Sequence, residues 1–224
     1  MKKIFLLLPF IVSLISCSAG KYMLKENDRI AFFGDSITEF GLRPNGYITL
    51  IKDSLAKSNP SVGIIPAGIS GNKVTDLQAR VDRDVISKKP TIVFIYIGIN
   101  DVWHSILPGL HGTPKDQYES GLIEIINKIK NAGARVILCT PSVIGEKQYG
   151  TNKLDKQLDE YAAISRKVAD ETGSQLLDLH KDFIAYIAAH NPDNKEKDIL
   201  TVDGVHLNDA GNEFVEKEML GSLK

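Results

Sequence analysis

The chain reads as an α/β protein built on a five-stranded parallel sheet covered by helices on both faces. Three observations carry that reading. Five short apolar runs, rich in β-branched and aromatic residues, recur at 29–33, 62–66, 91–97, 135–140 and 175–179. Each is near-continuously apolar, as in strands buried on both faces, where the alternation of a half-exposed strand disappears. Between the runs, apolar residues return at helical spacing, and strands alternating with helices fold into parallel sheets through right-handed crossovers. The length of 224 residues with 43% hydrophobic residues supports one well-buried core.

The N-terminus stands outside this pattern. Lys2 and Lys3 precede an apolar run from Ile4 to Ile15, which is followed by the small residues Ser16, Cys17, Ser18, Ala19 and Gly20. Interrupted by Pro9 and shorter than the roughly 20 residues a spanning helix needs, the run predicts an export signal over 1–20. Leu14-Ile15-Ser16-Cys17 resembles the lipobox of bacterial lipoproteins, which would make Cys17 a lipid anchor. Cleavage near Ala19 or Gly20 with free secretion is the alternative. Either route places the mature chain outside the cytoplasm, in the periplasm or at the cell surface. A polar linker over 21–28 then leads into a single domain over 29–224.

The first strand ends in Gly34-Asp35-Ser36-Ile37-Thr38. A hydroxyl at a strand-to-loop junction makes Ser36 a candidate nucleophile; Asp35 and Ser36 as caps of the next helix is the other reading. Tyr47, Leu50, Ile51 and Leu55 mark the first long helix. The second strand is followed by Gly68-Ile69-Ser70-Gly71-Asn72. This is no phosphate-binding glycine loop, because Asn72 separates Gly71 from Lys73 and no Ser or Thr follows that lysine. Val74, Leu77, Val81 and Val85 mark the second helix, stopped by Lys88-Lys89-Pro90.

The third strand runs into Gly98-Ile99-Asn100-Asp101 and a long loop, 102–115, holding Trp103, His104 and His111. The third helix, with Leu122, Ile125, Ile126 and Ile129, stops at Gly133, and the fourth, with Leu158, Tyr161, Ile164 and Val168, at Gly173. Cys139, inside the fourth apolar run, is a small buried hydrophobe with no chemistry assigned. His180 reads as a helix start or a residue behind the site, and His190 as a surface helix end. Of the five histidines, only His206 has a carboxylate at a spacing that orients its ring within one turn: Asp203 lies three residues earlier, ahead of a C-terminal helix. His104 is favoured as a further residue facing the site.

Composition excludes several classes. With 27 Lys+Arg against 28 Asp+Glu and a net charge of -1, the chain carries no cationic excess for nucleic acid. Two cysteines supply neither a disulfide scaffold nor a four-thiolate zinc site. What remains is cofactor-free chemistry at strand ends. There a serine nucleophile, a histidine base with its aspartate, and donors from the Ser36 amide, a glycine amide of the Gly68–Asn72 loop and the Asn100 side chain would converge for acyl transfer. A metal-dependent phosphoesterase using Asp35, Asp101, Asp203 and His206, and a non-catalytic glycan binder, are the readings from other classes.

Gly34-Asp35-Ser36, Gly71, Gly98-Ile99-Asn100-Asp101 and Asp203-Gly204-Val205-His206 together resemble the four ordered blocks of the SGNH, or GDSL-type, hydrolases. The resemblance spans residues 29–212 nearly throughout; Ile37 stands where the family name has leucine. It implies a flavodoxin-like three-layer α/β/α sandwich. It also implies a serine esterase with Ser36, Asp203 and His206 as catalytic residues and Ser36, Gly71 and Asn100 as the oxyanion hole, needing no metal or cofactor. The expected substrate is a small-molecule or glycan ester with a short acyl group such as acetyl, on a carbohydrate or cell-envelope polymer. A lysophospholipase or thioesterase acting on longer chains is the alternative. A membrane is a partner only through Cys17.

Overall fold

A computed structural model describes residues 24–223; the expected export signal and Cys17 lie outside the described residues. Five parallel strands, β1 (Arg29–Gly34), β2 (Gly63–Gly68), β3 (Ile92–Tyr96), β4 (Arg135–Cys139) and β5 (Gln175–Leu177), form one sheet in the order β2-β1-β3-β4-β5. The chain moves one way from β1 to β2 and the other way from β2 to β3. The crossovers therefore change face beside β1, and the carboxyl ends of β1 and β3 diverge into a crevice where open α/β sheets place their ligands.

Among the described residues eight α-helices connect and flank the strands: α1 (Ser36–Phe40), α2 (Tyr47–Ser58), α3 (Val74–Asp84), α4 (Ile99–Trp103), α5 (Lys115–Asn131), α6 (Asp155–Thr172), α7 (Leu179–His190) and α8 (Asp209–Gly221). On one face α5 packs between α3 and α6, and on the other α2 packs on α8. There α7 meets α8 through Phe183 and Phe214, whose rings stand edge to face at 5.2 Å. This is the expected three-layer sandwich. The central strands β1, β3 and β4 are buried almost throughout, and Phe32 stacks on Phe94 across the β1–β3 pair at 5.4 Å.

Three details differ from the sequence reading. The edge strands β2 and β5 are only partly buried, and β2 carries the exposed Pro66, whose missing N–H an edge tolerates. The last apolar run ends at Leu177. Asp178 accepts from the Lys181 amide and starts α7 where the strand was expected to continue to 179. The loop expected after β3 begins with a helical turn, α4, passes through a 3-10 turn at His104–Ile106 and continues irregularly only to Pro114.

Candidate active site

Strand register brings the sequence blocks level. Gly34 at the end of β1 pairs with Gly68 of β2 on one side and Tyr96 of β3 on the other. Ser36, Gly71 and Asn100 follow those three positions within two, three and four residues. Close packing sharpens the turn: a Cβ on Gly68 would stand 2.2 Å from the Glu39 amide nitrogen, so α1 sits directly against the end of β2.

Ser36 is the first residue of α1, and the Asp35 side chain accepts from the Ile37 amide at 3.0 Å. Asp35 alone therefore caps the helix, and the Ser36 hydroxyl is left for another partner. That partner is His206, whose Nε2 lies 3.0 Å from Ser36 Oγ. His206 Nδ1 lies 2.7 Å from Asp203 Oδ2, while Asp203 Oδ1 accepts from the amides of Val205 at 2.9 Å and His206 at 2.8 Å. An ionised Asp203 accepts a hydrogen bond from Nδ1–H, which keeps the ring proton on that nitrogen and leaves the Nε2 lone pair toward the serine hydroxyl. Burial pushes the Asp203 carboxyl up, but hydrogen bonds from the His206 ring and from the two amides prevail and hold it below the usual carboxylate range. The loop is fixed by a bridge between Thr201 and Leu207 and by the bond from the Gly145 amide to the Gly204 carbonyl at 2.8 Å.

The donor side faces this pair. As the first helical residue, Ser36 has an amide with no carbonyl one turn earlier to bond. Gly71 adopts φ +78° in open space, so backbone conformation and not crowding calls for glycine. Among the described residues nothing accepts the Gly71 amide proton. Asn100 is 3% exposed and spends one Nδ2 hydrogen on the Asn72 carbonyl at 3.0 Å, leaving the second. The arrangement offers a polarised hydroxyl, a base with a fixed tautomer and three donors, which is what acyl transfer to serine requires.

Two buried carboxyls lie behind these groups. Burial pushes Asp35 up to about 7, assisted by repulsion from Asp101 and opposed by the Ile37 amide and Arg80. Burial likewise raises Asp101 to about 6, although its carboxylate accepts from the Val74 amide at 3.1 Å. The four residues considered as metal ligands are thus spent separately: Asp35 and Asp101 on helix starts, Asp203 on His206. Among the described residues no three His, Cys, Asp or Glu side chains converge.

The other histidines divide as follows. His104, favoured to face the site, is 9% exposed, and its pKa is lowered by burial and by Lys73. The neighbours of the His206 ring are Phe40 at 5.2 Å and Trp103 at 6.1 Å. Trp103 ends α4, one residue before His104. His180 holds loop and helix together, with Nε2 at 2.8 Å from Asp159 and Nδ1 on the Ser142 carbonyl. His190 ends α7, as expected, and His111 offers its carbonyl to Lys73. Cys139 is fully buried, and burial pushes its thiol up.

Two grooves flank the Asp203–His206 loop. One, of about 520 Å³, is lined by Trp103, Ile106, Ile144, Leu154 and Val205; the other, of about 790 Å³, by Phe40, Arg43, Pro44 and His206. Trp103 had stood out in the sequence only as an aromatic in a long loop. Phe40, Asn72 and Arg80, which surround the site, carried no motif, although Arg80 interrupts the apolar stripe of α3 and so gave a signal.

The GDSL-like Lipase/Acylhydrolase family matches residues 32–214. An acetylxylan esterase from Geobacillus stearothermophilus is 32% identical over 215 residues, covering 88% of this chain and 94% of the relative. Crystal structures of catalytic mutants of an acetylxylan esterase from the same organism, with a serine, an aspartate or a histidine replaced by alanine, superpose with a TM-score of 0.79 at 29% identity, covering 89% of this chain and 95% of theirs. The crystal structure of another acetyl xylan esterase superposes with a TM-score of 0.85 at 44% identity, covering 88% of this chain and all of the other. An isoamyl acetate-hydrolyzing esterase 1 homolog from Rattus norvegicus is 28% identical over 204 residues, covering 84% of this chain and 78% of the relative.

Proposed function

The chain belongs to the GDSL-like lipase/acylhydrolase family, and from that premise we propose that it is a serine esterase removing acetyl groups from a carbohydrate through an acyl-enzyme. The observation that carries the mechanism is the unbroken chain from Ser36 Oγ to His206 Nε2 at 3.0 Å and from His206 Nδ1 to Asp203 at 2.7 Å. His206 takes the Ser36 proton as Oγ attacks the ester carbonyl. The Ser36 and Gly71 amides and the free Asn100 hydrogen receive the developing oxyanion. The tetrahedral intermediate collapses with cleavage of the acyl C–O bond as His206 gives its proton to the departing sugar oxygen, and a water deprotonated by the same imidazole attacks the acetyl-enzyme, releasing acetate as His206 returns the proton to Ser36.

The substrate assignment draws on the relatives. Two are named for acetyl groups on xylan and one for isoamyl acetate. The acyl part is common to these names while the alcohol differs, so acetyl is the firmer half of the assignment. Trp103 beside the groove next to Asp203 supplies an aromatic face of the kind on which a sugar ring packs. The N-terminal pattern around Cys17 and the linker over 21–28 support an exported, lipid-anchored enzyme with its catalytic domain over 29–224.

The test compares hydrolysis of p-nitrophenyl acetate, butyrate and octanoate, and of acetylated xylo-oligosaccharides, by the wild type and by Ser36→Ala. Turnover that disappears in the variant, falls with acyl length and extends to the acetylated sugar is expected. Turnover rising with acyl length would move the assignment to a lysophospholipase or thioesterase. Full turnover by a folded Ser36→Ala protein would remove the serine mechanism.

A further inference from the structure

We propose that Arg80 is a positioning residue for the oxyanion side of the site, acting through Asn72; this rests on the roles assigned above to Ser36, Gly71 and Asn100. Arg80 lies on the buried face of α3 with Val74, Leu77 and Val81 and is only 5% exposed. A guanidinium costs free energy to bury unless its hydrogens find acceptors. Here Nη2 donates to the Gly34 carbonyl at 2.7 Å, Nη1 to the Ala67 carbonyl at 2.9 Å and to Asp84 at 3.2 Å, and Nε to Asn72 Oδ1 at 2.6 Å. Its central carbon stands 4.6 Å from the centre of the Phe33 ring.

These acceptors are the framework of the donor side. Gly34 ends β1 two residues before Ser36, and Ala67 lies in β2 four residues before Gly71. Asn72 follows Gly71, and its carbonyl receives the Asn100 side chain. One planar group therefore ties the two strand ends to the loop that carries one proposed oxyanion donor and orients another. A turn bond from the Asn72 amide to the Ile69 carbonyl at 3.2 Å spans Gly71, and further restraints lie on its far side. The Ser70 amide donates to Glu39 at 2.6 Å, and the Ile69 amide to the Gly34 carbonyl at 3.2 Å. Gly71 itself is held by nothing except its neighbours, so Glu39 and Arg80 grip the chain on either side of a free amide. Lysine could not reproduce the grip, because a point ammonium lacks the fixed fork that reaches three directions at once. Displacing such donors by about 1 Å is enough to cost on the order of 100-fold in rate.

The experiment measures kcat and KM for p-nitrophenyl acetate with the full chain. It uses Asn72→Ala, Arg80→Lys, Arg80→Met, Asn100→Ala and the double variant Arg80→Met with Asn100→Ala, together with thermal unfolding of each. Asn72→Ala, which opens the latch and leaves the strand-end bonds of Arg80 in place, is expected to lower kcat about tenfold with KM within about twofold. Arg80→Met is expected to lower kcat about 100-fold, with Arg80→Lys rescuing little of it. In the Asn100→Ala background the further loss from Arg80→Met should shrink to about tenfold or less, because part of what the guanidinium positions is already gone.

A purely structural arginine would lower the unfolding temperature and leave kcat of the folded protein unchanged. Wild-type kcat in folded Asn72→Ala and Arg80→Lys proteins, or losses that multiply fully in the double variant, would overturn the proposal. If Arg80→Met does not fold, the Asn72→Ala and Arg80→Lys results decide. Full turnover in Asn100→Ala would instead retire the oxyanion assignment on which the proposal stands.

Discussion

Asp35 sits between Ser36 and the sheet with its carboxyl almost fully desolvated, and its pKa raised from 3.8 to about 7 is a statement about stability. A carboxyl whose folded pKa lies above its unfolded value binds its proton more tightly in the native state. The resulting stabilisation is complete below about pH 4 and is lost as pH rises through about 7. Asparagine keeps the acceptor for the Ile37 amide and removes the ionisation. Asp35→Asn is therefore expected to gain on the wild type as pH rises from about 4 to above 7, by a difference of up to about 4 kcal/mol at about 1.4 kcal/mol per pKa unit. Carboxyls held low, such as Asp203 and Asp84, contribute with the opposite sign, present above their ordinary pKa and lost on acidification. They are common to both proteins and cancel in the comparison. Thermal unfolding of the two proteins at pH 4.5 and pH 8 measures the difference; the same offset at both values would show that Asp35 does not titrate with folding.

Among the elements, α1 is too short to form alone, and its five residues hold their place by contact. Its backbone presses on β2 so closely that a Cβ at Gly68 would meet the Glu39 amide nitrogen at 2.2 Å and the Thr38 carbonyl carbon at 2.6 Å. Gly68→Ala must push α1, and with it Ser36, away from the Gly71 loop. Overpacking of this kind costs about 1–3 kcal/mol, and the displaced nucleophile should lose at least about tenfold in kcat. Unfolding temperature and p-nitrophenyl acetate turnover check both parts, and a Gly68→Ala protein with wild-type turnover would show that α1 shifts without moving Ser36. The same elements show what local sequence can and cannot reveal. The central strands and α2, α3, α5 and α6 are legible because burial on two faces or on one stripe writes a period into the chain. Strand order is a non-local fact, so the partial exposure of β2 and β5 was not legible. Helices as short as α1 and α4 contain too few turns to show periodicity. Ser36, Gly71, Asn100, Asp203 and His206 stand in short ordered blocks and could be nominated directly. Arg80 and Asn72 matter only through partners that folding brings to them, and the one local trace was a charge inside an apolar stripe.

Across the whole molecule, the two ends of the sheet have different neighbours. The loops that carry Ser36, Gly71 and Asn100 leave the carboxyl ends of the strands, whereas the chain enters β1 at Arg29 from the opposite end of the sheet. There Leu24 lines a groove with Leu55, Leu220 and Leu223. Six residues of β1 separate the two ends by about 20 Å. With Cys17 acylated as proposed, the seven steps to Leu24 reach at most about 25 Å. The bilayer would then lie against the end remote from Ser36, with the site turned outward toward polymer and away from lipids of the same leaflet. The full-length acylated enzyme on vesicles is accordingly expected to hydrolyse soluble acetylated oligosaccharides with a kcat/KM within about twofold of that of the chain from Lys21 onward, and to leave acyl lipids of the same vesicles intact. That factor is small because diffusion of a soluble substrate to an outward-facing cleft is little obstructed by a surface behind the enzyme. A tenfold loss on attachment, or hydrolysis of the host lipids, would mean that the site faces the membrane and would return the longer-chain acyl substrates to consideration.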